Sequence, residues 1–520
     1  MKIAPCDDSQ IRSGACTEPC RREARPIVLM VTILGSSLAF VDGTVVTVAL
    51  PVIGEQFGGS LSFMQWVVNA YALFLAALLL VGGAAGDLYG RRRVFNIGVV
   101  VFALASLWCG LAETAGQLVA ARALQGFGGA LLVPNSLAII SAAFPPEERG
   151  RAIGTWAGFS AIAAALGPVL GGWLIDLGSW RLVFLINLPV AAVALALSLW
   201  RVPESRDETA GRRMDWAGGL LAVLALAALT YSLTTFGESR QISQSLVLAG
   251  VAGVLGLLVF LWVEQRSGDP MLPLGLFRSP AFAGANLLTL FLYLALSGVL
   301  FFLPITMIEA HGHTAMLAGA AFLPFTLVMA FLSRWAGGLL DRFGARLPLT
   351  LGPMIAAAGF LLFIPAAPGA SFWSAVVPAM LVLGLGMAVT VAPLSTVVMN
   401  AVPAGQSGLA SGVNNAVSRL SGLLAVAGLG AFAALVFDQS FAALAAGVEP
   451  TARAAVAYGS DGAMTQLSAA NALALEDAYR QAMVDAFRAI AFIGATLALL
   501  SALCGFFLMP RSPQPQPQGA

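Results

Sequence analysis

Apolar residues along this chain gather in long, nearly unbroken runs rather than in the three-to-four spacing of a helix with one wet face. Fourteen runs can be read, at roughly 27–50, 64–86, 94–112, 115–143, 152–175, 181–200, 216–236, 245–264, 281–308, 315–339, 347–366, 372–396, 406–436 and 485–509. A helix crossing the hydrocarbon of a bilayer needs about 20 mainly apolar residues. Inside lipid each segment must also satisfy its own backbone groups, which a helix does and a lone strand does not. The pattern therefore predicts an all-α membrane protein.

Two polar breaks divide the runs. The Arg-rich stretch 201–215 closes a first block of six, and the stretch 264–280 precedes a second block of six. The two runs between them carry almost no polar residues and read as an inserted hairpin. The expected plan is a tail over 1–25, a six-helix bundle over 26–200, a linker with two extra membrane helices over 201–280, a second six-helix bundle over 281–510 and a tail over 511–520. The polar, Ala-rich stretch 438–484 is expected as an outer segment, helical, lying on or above the membrane.

Composition removes the soluble alternatives. The chain is 59% hydrophobic and 10% charged, with a mean hydropathy of +0.87, whereas a soluble domain carries about 25% charged residues. A net charge of +1 argues against a nucleic-acid partner. The 27 basic residues are all Arg except Lys2. With the N-terminus in the cytoplasm, nineteen of the 27 fall in inside segments, five in outside segments and three within runs. Such a bias places both termini in the cytoplasm of a cell membrane. The first run is too long for a signal-peptide core and lacks a small-residue cleavage site, so it is expected to stay as the first span. Cys109 and Cys504 sit in apolar runs as small core residues. Cys6, Cys16 and Cys20 lie in the polar tail with no accompanying His or CxxC spacing, so no metal site is expected.

Charge within the pattern supplies the chemistry. Gly83-Ala-Ala-Gly-Asp87-Leu-Tyr-Gly90-Arg91-Arg92-Arg93 follows the second run, and Gly337-Gly-Leu-Leu-Asp341-Arg342-Phe-Gly344-Ala-Arg346 follows the tenth. Both read G-x-x-x-D-x-x-G with trailing arginines at matching places in the two blocks, the mark of duplicated transporter halves. An Asp at a helix end, a Gly turn and an Arg make a charged latch that can bias a conformational equilibrium. The plain alternative is a positive-inside loop. Asp42 is the only acid well inside a run, and buried charges in membranes usually mark ion or substrate paths. It suits proton exchange, with a structural buried acid as the alternative. Arg122 stands with Gln125, Gly126 and Gly129 on one helix face, suited to steering an acid or to bonding a neighbouring helix's carbonyls. Gly158, Gly167, Pro168, Gly171 and Gly172 give the fifth run a close-packing face with a kink. Arg334 lies two turns from Asp341 and is expected to snorkel. His311 and His313 flank Gly312 and are read as a solvated outer loop. The polar side chains Gln65, Trp66, Tyr71, Gln125, Asn135, Asn187, Asn286, Tyr293, Asn414, Asn415 and Arg419 are the candidates for lining a substrate cavity.

The two loops resemble the signature loop of the major facilitator superfamily. Segments across nearly the whole chain are similar to its fourteen-span drug:proton antiporter branch. Val41-Asp42-Gly43-Thr44-Val45-Val46-Thr47-Val48-Ala49-Leu50-Pro51 resembles D-x-T-[IV]-V-x-x-A-L-P, and Trp66 and Tyr71 fit W-x-x-x-x-Y. Arg122 to Gly129 resembles R-x-x-Q-G-x-G, Gly167-Pro168-Val-Leu-Gly171-Gly172 the antiporter motif, and Trp180 to Pro189 W-R-x-x-F-x-x-N-x-P. The stretch from Gly408 to Arg419 resembles the thirteenth span of that branch. Leu88 departs from the usual basic residue after Asp87, and Ala163 stands where a further Gly is common. The resemblance implies two six-helix bundles with an inserted hairpin, Arg122 linked to proton transfer, and span-five packing that favours exchange over leak.

The expectation is a proton-coupled exporter of amphipathic small molecules, driven by the proton gradient without a cofactor and working as a monomer in the bilayer. Uptake or facilitated diffusion of a nutrient, or a non-transporting sensor, are the alternatives. Three arginines and one acid within runs lean the cargo toward neutral, zwitterionic or anionic compounds. No Ser/His/Asp set, metal cluster or phosphate loop supports an enzyme.

Overall fold

The computed structural model describes residues 24–58, 60–206, 215–239, 243–267, 270, 272–402, 407–446 and 469–510. The N-terminal cysteines and most of the 201–215 stretch lie outside these residues. Among the described residues the structure is helical, and thirteen helices are long and apolar enough to cross a membrane.

The first unit packs α1 (Arg25–Gln56), α2 (Leu61–Tyr89), α3 (Arg91–Leu111), α4 (Ala115–Ala143), α5 (Pro146–Asp176), α6 (Leu182–Leu185) and α7 (Asn187–Arg201). It takes in α1 as far as Val46 and α2 from Trp66. Its core gathers Leu38, Leu75, Phe95, Phe102 and Ile140. Short polar signals set the ends. Thr114 accepts from the Gln117 backbone N–H at 3.2 Å, capping α4, while the Gln117 side chain takes the Glu113 N–H at 2.9 Å. Pro145 and Pro146 open α5, where a missing donor costs nothing. Arg25 reaches Glu148 at 2.7 Å and ties the start of α1 to the start of α5.

The expected hairpin is α8 (Trp216–Ser239) and α9 (Gln244–Arg266). Their backbones come close where Gly253 meets Leu229 and Ala225. Val247, Leu248, Val251, Leu255, Leu258 and Trp262 leave α9 apolar and exposed, as a lipid-facing helix should be. Residues up to Leu229 and from Ala249 to Pro273 group with the first unit, and Thr230–Leu248 with the second.

The second unit holds Thr47–Gln65, Thr230–Leu248 and Leu274–Ala520. Its helices are α10 (Pro280–Glu309), α11 (Ala315–Ala320), α12 (Phe322–Gly337), α13 (Leu339–Phe343), α14 (Arg346–Leu361), α15 (Phe372–Ala375), α16 (Val377–Asn400), α17 (Ser407–Leu444) and α18 (Ala469–Leu508). α10 packs on α17 and α18, and α14 on α16 and α18. Ser501 donates to the Leu288 carbonyl at 3.1 Å, joining α18 to α10.

One helix departs from its expected length. The eleventh run forms a helix of only 16 residues, Arg346–Leu361, short of the length that the other thirteen reach. The chain leaves the helix in turns, and Arg488 of α18 donates to the freed carbonyls of Ile364 at 2.9 Å and Ala366 at 2.8 Å. In the outer segment 438–484, α17 continues to Leu444 and α18 begins at Ala469, so both ends of the stretch are helical. Ser440 of α17 donates to Asp485 of α18 at 2.7 Å, and Arg488 of α18 donates to the same carboxylate at 2.9 Å, so the two helices are joined there.

Candidate functional site

Asp42 lies in the middle of α1, fully buried. Its carboxylate is surrounded by donors from two further helices. Arg122 of α4 donates to Oδ2, and Gln125, one turn along α4, donates to Oδ1 at 2.7 Å. Asn187, at the first position of α7, donates to Oδ1 at 3.2 Å. Ser106 of α3 accepts from Gln125 at 2.9 Å and from Asn187 at 3.3 Å, which holds both amides in place. Arg122 is the largest fully buried side chain among the described residues. Its Nε donates to the Val67 carbonyl at 2.9 Å and Nη1 also reaches the Gln125 Oε1 at 2.6 Å. The guanidinium lies 4.4 Å from the Tyr71 ring centroid and 5.7 Å from that of Phe184. Tyr71 is fixed in turn by its hydroxyl, which donates to the Ala39 carbonyl at 2.9 Å.

This cluster is a charge-neutral pair inside a sleeve of amides and aromatic rings. Breaking a buried pair by removing one charge typically costs about 3–5 kcal/mol. Separating Asp42 from Arg122 without a compensating positive charge would carry that cost. The spacing of Arg122 and Gln125 on one face was legible from the sequence. Ser106 was not, because a Ser among apolar residues gives no sign of its partners.

α5 packs on α1 beside this cluster. Pro168 has no N–H, so the carbonyl four residues earlier, on Ala164, loses its helical partner. Thr44 of α1 donates to that carbonyl at 2.8 Å. A Cβ at Gly167 would collide with the Thr44 hydroxyl, and one at Gly171 would come within 2.7 Å of the Val45 carbonyl. Trp156 adds a second tie, its Nε1 donating to Ser36 Oγ at 3.0 Å. Gly172 and Pro168 are buried in the same helix.

The first loop forms a charged junction. Arg91 pairs with Asp87 at 2.7 Å and reaches the Ala138 carbonyl at 3.5 Å. Gly90 turns the chain at φ 108°, in the left-handed region where a side chain is strained. A residue the motif does not contain completes the junction. The Glu204 carboxylate accepts the backbone N–H groups of Arg92 at 3.0 Å and Arg93 at 3.1 Å, capping the start of α3. Arg92 donates to the Val202 carbonyl at 2.8 Å. The second loop differs from the first. Gly344 again turns left-handed, at φ 71°, but Arg342 is exposed and Arg346 stacks over Phe506 at 3.8 Å. The Asp341 and Arg334 side chains lie outside the described residues.

The cavity candidates separate into groups. Tyr71, Gln125 and Asn187 belong to the Asp42 cluster. Asn135 is committed to helix packing instead, donating to the Gly82 and Leu131 carbonyls at 2.8 and 2.7 Å. Gln65 donates to the Val426 carbonyl at 2.6 Å within the second unit, and Trp66 is half-buried. Asn414 of α17 donates to Thr289 at 2.7 Å and to Asn286 at 3.2 Å, both on α10. Tyr293 and Arg419 are half-buried and within electrostatic reach of each other, while Asn415 is exposed.

The His311–His313 loop is less solvated than expected. His311 Nδ1 and His313 Nε2 are buried without hydrogen-bond partners. Burial, with His313 beside it, pushes His311 down to about 4. Among the described residues no group of three or more His, Cys, Asp or Glu is placed to hold a metal ion.

The sequence matches the family described as the Major Facilitator Superfamily over residues 32–426. It is 38% identical over 409 residues to the multidrug resistance protein Stp of Mycobacterium tuberculosis, covering 78% of this chain and 75% of that protein. A puromycin resistance protein of Streptomyces alboniger is 35% identical over 438 residues, covering 82% and 86%. A tetracenomycin C resistance and export protein of Streptomyces glaucescens is 32% identical over 412 residues, covering 77% and 74%. Among solved structures, a bacterial homologue of the human lysosomal transporter Spinster superposes with a TM-score of 0.62 at 21% identity, over 93% of this chain and 98% of that one. A D-xylose–proton symporter does so with a TM-score of 0.61 at 16% identity, over 93% and 98%.

Proposed function

The chain belongs to the major facilitator superfamily, a family of multi-pass membrane transporters rather than enzymes, and we propose that it exports drug-like amphipathic molecules in exchange for protons. Drug-resistance relatives over three quarters of the chain support export. The observation that carries proton coupling is the Asp42–Arg122 pair. A carboxylate in a desolvated place needs a compensating positive charge, and either the guanidinium or a proton supplies it. With Arg122 engaged, Asp42 is ionised and the cluster is closed. When rearrangement of the helices withdraws Arg122, Asp42 takes a proton from the outer side and carries it to the inner side. Gln125, Asn187 and Ser106 keep the carboxylate oriented in both states. The gradient supplies about 2.3 kcal/mol per charge per 100 mV.

The Asp87–Arg91 pair and the Glu204 cap fasten the cytoplasmic ends of α2, α3 and α7. We assign this junction the latch role and place both termini in the cytoplasm, in keeping with the distribution of arginines. Candidate cargo contacts are Asn286, Asn414, Tyr293 and Arg419, with neutral or anionic groups as the favoured chemistry.

Membrane vesicles test the direction. Everted vesicles with an acidified lumen should accumulate puromycin or tetracenomycin C, and a protonophore should abolish the accumulation. Accumulation in right-side-out vesicles instead, or accumulation indifferent to the protonophore, would contradict proton-driven export.

A further inference from the structure

The Thr44 hydroxyl is poised between two sets of acceptors. It lies 3.2 Å from the Phe40 carbonyl and 3.0 Å from the Val41 carbonyl of its own helix, and 2.8 Å from the Ala164 carbonyl of α5. A hydroxyl carries one proton, so it satisfies one of these fully at a time. The acceptor on α5 exists because Pro168 cannot bond it. If α5 moves off, the hydroxyl falls back on its own helix, as Ser and Thr in helices readily do. Contact with α5 is therefore remade and broken without leaving a buried donor unsatisfied.

Its place gives this bond a consequence. Thr44 stands two residues from Asp42 on α1, and Gly167, which has no room for a Cβ, leaves the space that the hydroxyl occupies on its way to Ala164. The Trp156–Ser36 bond joins the same two helices at residues likewise 120 apart in sequence. α1 and α5 thus run side by side, fastened at two levels, with the second level next to the Asp42 cluster.

We infer that Thr44 is a positioning residue that ties the proton site on α1 to the Pro168 kink of α5, so that Asp42 exchanges its proton only as α5 moves. The inference rests on the proton-coupled reading of Asp42. Without this tie, Asp42 would load and unload while α5 stays in place, and protons would slip through without cargo. The same geometry explains why residue 167 is Gly: any side chain there displaces the hydroxyl from Ala164.

The test needs no cargo. The full chain is reconstituted in liposomes enclosing a pH-sensitive dye, and the decay of an imposed pH gradient is followed with valinomycin and potassium clamping the potential. Wild type should be nearly tight. Thr44→Val, of equal shape but without the hydroxyl, should leak protons about fivefold faster, the scale expected for loss of one hydrogen bond. Thr44→Ser should restore tightness, which a purely steric role would not produce. Gly167→Ala should leak like Thr44→Val by a separate route. Leak at the wild-type rate in Thr44→Val would overturn the inference, as would a tight Gly167→Ala if Thr44→Val fails to fold. Adding Asp42→Asn to Thr44→Val separates the two readings. Abolished leak places the protons on Asp42, whereas persisting leak faults the proton-site reading rather than the Thr44 bond.

Discussion

At the scale of single residues, the Asp42 cluster shows how a membrane protein carries a charge in its interior. Arg122 alone would neutralise the carboxylate, but a guanidinium in hydrocarbon also needs its own contacts. It finds the Val67 carbonyl, the Gln125 amide and the faces of Tyr71 and Phe184. An Arg position is thus specified here by geometry, and Lys, a point charge without a planar fork, does not replace it. Arg122→Ala should destabilise the protein by about 3–5 kcal/mol, because it strands a buried carboxylate. Asp42→Asn combined with Arg122→Ala should recover a large part of that loss. Thermal unfolding of the two single variants and the double variant in detergent measures the coupling, and additive effects would show that the pair is not a unit. The sequence made Asp42 and Arg122 visible as lone charges in apolar runs. It left Ser106 and the partner of Thr44 hidden, because small hydroxyl side chains suit any helix interface and only the folded chain shows which carbonyl or amide they meet.

At the scale of elements, helix ends explain what the apolar runs did not. The loop after α2 reads as Gly, Asp and Arg, yet its third partner, Glu204, lies more than a hundred residues away. No local pattern announces a carboxylate that caps a distant helix. An acidic group on exposed N–H groups at a helix start is worth about 0.3–1 kcal/mol, and more in partly buried settings. Glu204→Gln should lower the melting temperature by no more than about a degree and speed amide hydrogen exchange at residues 92 and 93, since the cap acts on those N–H groups. Unchanged exchange there would remove the cap from the account. The eleventh run illustrates the opposite case. Its composition promised a full span, but the helix ends at Leu361, where Pro365 has no N–H to offer the Leu361 carbonyl, and Arg488 takes the carbonyls of Ile364 and Ala366 beyond it. Pro168 likewise frees a carbonyl on α5, with Thr44 as the remedy. The composition of a run gave its membrane character, and proline positions with distant donors gave its real length and shape. The two signature loops, matched in sequence, also part at this scale: Arg91 pairs with Asp87 while Arg346 turns to Phe506.

At the scale of the whole molecule, the order of apolar runs and the repeated loop were enough to anticipate an all-α membrane protein of the major facilitator kind. Hydropathy works so well here because lipid leaves few structural options to a backbone. The proposed proton-coupled export, in contrast, depends on linking one protonation event to a change in which side of the membrane is open. Asp42, fully buried in α1, has Arg122 as its charge partner, and the proposed cycle exchanges that partner for a proton. The most direct test compares wild type with Asp42→Asn in proteoliposomes preloaded with labelled puromycin. The account predicts that the variant still exchanges labelled for unlabelled puromycin across the membrane but no longer moves it against its gradient when a pH difference is imposed. Gradient-driven movement retained by Asp42→Asn at the wild-type rate would contradict it.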